Sequence, residues 1–208
     1  MASPAAWAFG QWVAHKARSR LDAMSFVVFS GVPGSGKSTV ARKLAPRLSL
    51  PLLDKDDFLD ELFKERGAGD AAWRSALSRE ADARFVRTAW ELPGACLVSW
   101  WRNYKVSETT GTPVEWLSNL RAPLVEVHCR CRVETAVDRF LARERHPGHL
   151  DASRTRTSLI TQFNAFDAAG PIACGPLLVL DTEQDVNPDV VLDQLQNLKR
   201  VLPNLEDR

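Results

Sequence analysis

A chain of 208 residues with 45% hydrophobic and 25% charged side chains has a globular composition and the length for one substantial core. That excludes a disordered or fibrous chain, and it excludes two full catalytic domains. Lys and Arg number 27 against 26 Asp and Glu, so a formal net charge of +1 gives no overall attraction to nucleic acid or an anionic membrane. No apolar run approaches the roughly 18–20 residues needed to cross a bilayer. Residues 1–10 lack the Lys or Arg that opens a secretory signal, while Lys16, Arg18 and Arg20 follow them. This predicts a cytoplasmic protein, with Cys96, Cys129, Cys131 and Cys174 as reduced thiols. Cys129-Arg130-Cys131 has neither the spacer nor the second pair of a zinc site.

Residues 1–24 read as a helical appendage to a domain over 25–208, because Trp7, Trp12, Val13 and Leu21 can share a side opposite His15, Lys16, Arg18 and Arg20. The continuous apolar run at 26–30 marks a strand buried on both faces. A Gly-rich turn follows, then a helix over 38–48 that Pro46 should end or kink. A second strand at 50–53 leads to the acidic turn Asp54-Lys55-Asp56-Asp57 and a helix through Leu62 and Phe63. After a break at 67–70, residues 71–92 predict a long helix with Trp73, Leu77, Phe85, Ala89 and Trp90 among its apolar positions. Further strands are predicted at 95–100, 124–129 and 177–180. Helices are predicted over 133–143 and from Asn187, a cap followed by Pro188. Strands alternating with helices give an α/β fold, a parallel sheet with helices on both faces.

Gly31-Val32-Pro33-Gly34-Ser35-Gly36-Lys37-Ser38 fits G-x-x-x-x-G-K-[ST] and lies between an apolar strand and a helix. Glycines let successive N–H groups turn toward phosphate oxygens, and the helix adds its positive end. Lys37 supplies an ammonium to the β and γ phosphates, and the Ser38 hydroxyl can ligate Mg²⁺. The alternative is a Gly-rich turn with a chance lysine. The motif implies a nucleoside triphosphate without saying what is done with it. No acid follows the strand at 95–100, which runs into Ser99-Trp100-Trp101-Arg102, and no N-K-x-D motif is present. Motor ATPases and GTPases are therefore disfavoured.

Asp54, Asp56 and Asp57 sit at the carboxyl end of a predicted parallel strand, where α/β sheets bind ligands and where a carboxylate can take the proton of an attacking hydroxyl. They can also be read as helix-capping acids, Asp57 above all. Residues 31–39 with Leu52-Leu53-Asp54-Lys55-Asp56 resemble the small P-loop kinases of the shikimate kinase, gluconate kinase and chloramphenicol phosphotransferase group, adenylate kinase-like proteins with an AAA-type ATP-binding domain. The resemblance implies a three-layer fold with a five-stranded parallel sheet in the order 2-3-1-4-5, a short lid around 143–157, and ATP with Mg²⁺. It gives Gly31, Gly34, Ser35, Gly36, Lys37, Ser38 and Thr39 to the nucleotide, Asp56 the part of the base and Asp54 a place beside Mg²⁺ with Ser38. Lys55 reads as solvated rather than as a substrate contact.

Arg139 and Arg143 stand four apart on the predicted helix 133–143, so both can point the same way. A transferring phosphoryl group needs such donors. In the adenylate kinase-like group an R-x-x-x-R pair leads into the lid, which implies that Arg139 stacks near the base and Arg143 reaches phosphates, with Arg145 adding a contact. The alternative is a solvated face, since Glu134, Asp138 and Glu144 are interspersed. His146 and His149 read as turn residues around Pro147-Gly148 rather than metal ligands. Asp181-Thr182 falls where this group borders adenine.

The acceptor belongs between the carboxyl ends of the second and third strands, where Trp100, Trp101, Arg102, Asn103 and Tyr104 are supplied. Aromatic walls with an arginine suit a flat or sugar-bearing ligand, and core packing is the alternative for each Trp. The reading is an ATP-dependent, Mg²⁺-requiring kinase for a hydroxyl of a small molecule, such as a metabolite, a nucleoside-like compound or an antibiotic. Asp56, Lys37 and Arg143 are its catalytic residues, and Trp100, Arg102, Tyr104 and Arg145 join Asp56 around the acceptor. The chain is expected as a monomer or homodimer. A polynucleotide 5′-hydroxyl kinase is the second enzyme reading, disfavoured by the lack of a basic stripe, so nucleic acid is not the expected partner. A nucleotide-dependent regulatory module with slow hydrolysis is the third.

Overall fold

The computed structural model describes residues 25–201, so the helical appendage expected over 1–24 lies outside the described residues. Strands β1 (Phe26–Ser30), β2 (Leu52–Asp54), β3 (Ala95–Val98), β4 (Leu124–Arg130) and β5 (Leu177–Asp181) form a parallel sheet in the order β2-β3-β1-β4-β5. The helices are α1 (Lys37–Leu48), α2 (Lys55–Arg66), α3 (Ala71–Trp90), α4 (Val133–Leu141), α5 (Arg156–Ala169) and α6 (Pro188–Val201). This is the α/β architecture and strand order that the resemblance implies. No helix among the described residues is long and apolar enough to cross a membrane.

All five residues of β1 are buried because the strand has cores on both faces. Val27 and Phe29 join Val40, Ala41 and Leu44 of α1 and Val191 and Leu195 of α6. Phe26 and Val28 point the other way, into a cluster with Phe85 and Ala89 of α3, Trp101 and Trp116. Pairing with β3 on one side and β4 on the other makes β1 the central strand, so its carboxyl end at Ser30 opens where the connections diverge. β4 buries a carboxylate: Glu126 is fully enclosed, accepts from Ser30 Oγ, and accepts the backbone N–H groups of Ile172 at 3.0 Å and Cys174 at 3.3 Å. It thus ties the chain entering β5 to the central strand.

Several boundaries differ from the sequence expectations, each for a local reason. The strand expected at 50–53 is Leu52–Asp54, which puts Asp54 on the last strand position, and α2 starts at once with Asp54 as its cap. The third strand stops at Val98, since Thr112 returns to pair with Trp100 O and Arg102 N at 2.8 Å each. Along α3 the buried stripe is Leu77, Ala81, Phe85 and Ala89, one residue in four, and it leaves Trp73 and Trp90 exposed. Pro46 lies inside the last turn of α1, which ends two residues later at Leu48. α4 ends at Leu141 rather than 143. The helix α5 was not expected. Its Leu159, Phe163 and Phe166 are buried against α4, with the Phe140 and Phe163 rings edge to face at 5.8 Å.

Candidate active site

The loop from Gly31 to Gly36 takes its shape from contacts beneath it. Gly31 has φ +125°, and a Cβ there would fall 2.2 Å from Cys129 O. At Gly34, φ +84°, a Cβ would fall 2.0 Å from Ala136 O. No other residue lets the loop lie this close to β4 and α4. From the far side, the buried Thr182 hydroxyl bonds Ser35 O and Arg130 O, each at 2.8 Å, which pins the loop to the chain leaving β5. The Ser35 hydroxyl, in contrast, is buried without a partner. An orphaned donor inside a ring of backbone groups fits an anion, because a phosphate oxygen would satisfy it.

Lys37 opens α1 and folds back over the loop, donating from Nζ to Gly31 O and Val32 O at 2.8 Å each. Burial, with Arg143 acting the same way, lowers its ammonium to about 8. Next to it Ser38 Oγ donates to Asp54 Oδ2 at 2.6 Å. Asp54 uses its other oxygen to accept from Asp56 N at 3.2 Å, so the cap of α2 and the partner of Ser38 are one residue. Burial and then Asp56 raise the Asp54 carboxyl, against the Ser38 bond. Asp57, the acid expected to cap, stands in the first turn instead. Among the described residues no three His, Cys, Asp or Glu side chains gather as a metal cage. The Ser38–Asp54 pair nevertheless fits Mg²⁺, which takes one or two protein oxygens and fills its shell with phosphate and water.

Asp56 lies two residues beyond Asp54 and is ion-paired to Arg145, Nη2 to Oδ2, at 2.7 Å. Burial acts to raise this carboxyl, but Arg145, then Lys55, His149 and Arg143, outweigh it and hold it below the ordinary range. Two acids in one turn are thereby driven apart, Asp54 up and Asp56 down. Lys55, expected to be solvated, is buried instead, donating to Ser78 Oγ at 2.6 Å and standing 3.9 Å from Asp82.

The arginines divide differently from the sequence expectation. Because α4 ends at Leu141, Arg143 is beyond the helix and does not share its face with Arg139. Arg139 donates to Thr182 O at 3.0 Å and Glu183 O at 3.4 Å, so it braces the loop after β5, where Asp181 Oδ1 also accepts from Glu183 N at 2.8 Å. Arg143 lies 5.8 Å above the Phe140 ring, close enough in field to lower Lys37. Arg145 bridges Asp56 and Asp151, the latter at 3.1 Å. Thr39 points outward on α1.

On the expected acceptor side, Trp100 packs edge-on to Phe163 and Phe166 and lines a small enclosed cavity with Ser30, Gly31, Asn103 and His128. Trp101 and Trp116 are core residues, and Trp101 Nε1 donates to Phe29 O at 2.8 Å. Arg102 donates to Gly111 O at 3.1 Å and lies over the Tyr104 ring, whose hydroxyl bonds Glu115. Those two residues therefore form their own surface group on the 102–115 excursion. Two further residues stand around Asp56: Arg74 of α3, which the sequence reading did not single out and whose Nε donates to His149 O at 3.0 Å, and His149, read from the sequence as a turn residue, whose Nε2 lies 2.6 Å from Asp60 Oδ1. Both partnerships span more than 70 residues, and no spacing motif encodes them.

The profile of an AAA domain matches residues 26–165, from the first residue of β1 into α5. The chain belongs to this AAA domain family. A 55-residue stretch of this AAA domain protein, 26% of the chain, is 46% identical to a shikimate kinase of Paracidovorax citrulli, and the match spans 27% of that enzyme's length. Among solved structures, a candidate kinase from Chloroflexus aurantiacus shares 24% identity at a TM-score of 0.68, covering 85% of this chain and 98% of its own. A shikimate kinase from Acinetobacter baumannii in complex with shikimate (16% identity, TM-score 0.52, 88% and 98% covered) is also similar. So is a deoxyadenosine kinase from M. mycoides with bound dATP (16% identity, TM-score 0.53, 83% and 99%). At these identities the likeness is one of fold.

Proposed function

We propose that the protein is an ATP-dependent, Mg²⁺-requiring kinase that transfers the γ-phosphoryl group to a hydroxyl of a small molecule. The observation that carries this reading is the hydrogen-bonded chain Ser38–Asp54–Asp56–Arg145, which starts beside Lys37 at the head of α1 and supplies in one place the groups that metal binding and proton acceptance would need. The kinase activity of the similar shikimate and deoxyadenosine kinases supports it.

In this reading the loop amides and Lys37 take the β and γ phosphates, and Lys37 exchanges two backbone carbonyls for phosphate oxygens. Ser38 and Asp54 hold Mg²⁺, which when bound neutralises developing phosphate charge. The acceptor hydroxyl approaches Asp56, which receives its proton as the new oxygen–phosphorus bond forms and the bond to the β-phosphate oxygen breaks, releasing ADP. Arg143 and Arg145 balance charge on the moving phosphoryl group. Thr39, Asp181, Thr182 and Arg139 complete the nucleotide side, and Trp100 is offered to the acceptor, while Arg102 and Tyr104 stay engaged with each other, Gly111 and Glu115.

A panel of small alcohols and nucleosides incubated with MgATP, read by ADP release and mass increase of the acceptor, tests this. A phosphorylated product is expected, with Asp56→Asn lowering its turnover on the order of a hundredfold or more. ADP released at the same rate with every acceptor and with none, and no product, would overturn the reading.

A further inference from the structure

Asp56, Asp60 and Phe63 stand at positions i, i+4 and i+7 of α2 and so share one face of it. Each grips a different group of the segment that follows α4. Asp56 pairs with Arg145 at 2.7 Å, and Asp60 Oδ1 meets His149 Nε2 at 2.6 Å. The Phe63 ring lies stacked on His146 at 5.1 Å, edge to His149 at 5.2 Å, and under Gly148, where a Cβ would fall 2.7 Å from the ring. From α3, Arg74 holds the His149 carbonyl.

The grip is uneven. The Asp56 side chain is 48% exposed, and Arg145, itself 18% exposed, divides its guanidinium between Asp56 and Asp151 of its own segment, so its pair to α2 alone contributes modestly to holding the segment there. The His149 side chain is 1% exposed and keeps a buried Nδ1 with no partner, a desolvation cost that the residue's other contacts must offset. Since a carboxylate accepts, the bond to Asp60 makes Nε2 the protonated nitrogen. The tight turn Pro147–His149 then leaves little slack between the fixed imidazole and Arg145.

We propose that His149 and Asp60 are positioning residues: their bond fixes the 145–149 segment on α2 and so sets where the Arg145 guanidinium stands over Asp56. The proposal rests on the reading of Asp56 and Arg145 given above. It explains how Arg145 can leave a carboxylate for a phosphate oxygen without the segment leaving the site, because the anchor is four residues away from the group that moves. The charged groups facing His149 are Asp60 and Asp56 from α2, Arg74 from α3, and Arg145 from its own segment.

The test compares His149→Phe, which keeps a ring on Phe63 but has no donor, with His149→Gln, which keeps an N–H within reach of Asp60. In the unliganded protein the Arg145 Nε–H resonance, assigned by its loss in Arg145→Lys, is expected in wild type and His149→Gln and broadened away in His149→Phe. With MgATP alone and water as acceptor, kcat for ADP release is expected to fall on the order of tenfold or more in His149→Phe, with KM for MgATP unchanged and His149→Gln restoring the rate. If His149→Phe does not fold, Asp60→Ala, which removes the acceptor, gives the same readouts. An Arg145 resonance and kcat like wild type in His149→Phe or Asp60→Ala would overturn the proposal. Should the wild type release no ADP, with or without an acceptor, the phosphotransfer reading fails, while the Arg145 resonance still decides the positioning role.

Discussion

Asp54 has two obligations, to cap α2 and to accept from Ser38, and both are met because it is the last residue of a strand and the first of a helix cap at once. Removing the hydroxyl exposes that economy. In Ser38→Ala the Asp54 carboxylate keeps its capping bond and loses the bond that counters its burial. The Mg²⁺ concentration giving half-maximal ADP release is then expected to rise on the order of tenfold, and EDTA to abolish release in both proteins. A metal titration checks this, and an unchanged curve would move Mg²⁺ away from the pair. Asp57 offers a contrast, since burial and then Asp54 push its carboxyl up to about 6 with no bond to compensate. A raised carboxyl favours the fold at low pH and ceases to do so as pH rises through that value. Asp57 is exposed, so solvent screens much of this effect, and Asp57→Asn should raise Tm slightly at pH 7.5 and leave it unchanged at pH 4.

At the scale of elements, what could be read in advance was whatever is written in adjacent residues. β1, the Gly-rich loop and α1 carry an apolar run, fixed glycines and a helical stripe within 23 residues, so the strand, the loop and Lys37 with Ser38 follow from the sequence alone. Asp56 was legible because it stands two residues after the end of β2. α5 was hidden for the opposite reason: Leu159, Phe163 and Phe166 have helical spacing, yet they follow a Pro-, Gly- and Arg-rich stretch that reads as a lid continuing to 157. The end of α4 was missed because Arg143 continues the spacing of Arg139 after the backbone has left the helix. Lys55 looked solvated because its partners Ser78 and Asp82 come from another helix. The weight carried by α5 can be measured. Phe163 is fully buried between Phe140 and Trp100, and Phe163→Ala should cost about 3–5 kcal/mol in a denaturant titration.

Across the whole molecule the near-zero charge is an average of separated fields: acids gather at the start of α2, and Arg74 of α3 with Arg143 and Arg145 face them. Two histidines tie the fold's stability to pH. Burial lowers His128, against the pull of Glu126, and burial with Arg145 lowers His149, against Asp60. Between each folded value and the unfolded one near 6.5, the unfolded chain binds more protons, so stability present above about pH 7 drains away as pH falls. The two histidines act to lower Tm between pH 7 and 5 while Asp57 acts against them over the same window, so Tm should fall less steeply in His149→Gln than in wild type and more steeply in Asp57→Asn. Profiles of the same slope in all three proteins would mean that these groups titrate alike inside the fold and outside it.

Ending α4 at Leu141 separates two arginines that the sequence sets four apart. Arg139 is still helical and is fastened to the carbonyls beyond β5, so it is a bracket and travels with the sheet. Arg143 and Arg145 come after the last helical turn, where the N–H groups of Ala142 and Arg143 still bond Asp138 O and Phe140 O, and they are aimed by what they touch rather than by the helix axis. In the proposed reading the base side of the nucleotide would therefore rest on the sheet and its phosphate end on side chains tied to α2, so that a change of reach at one end need not disturb the other.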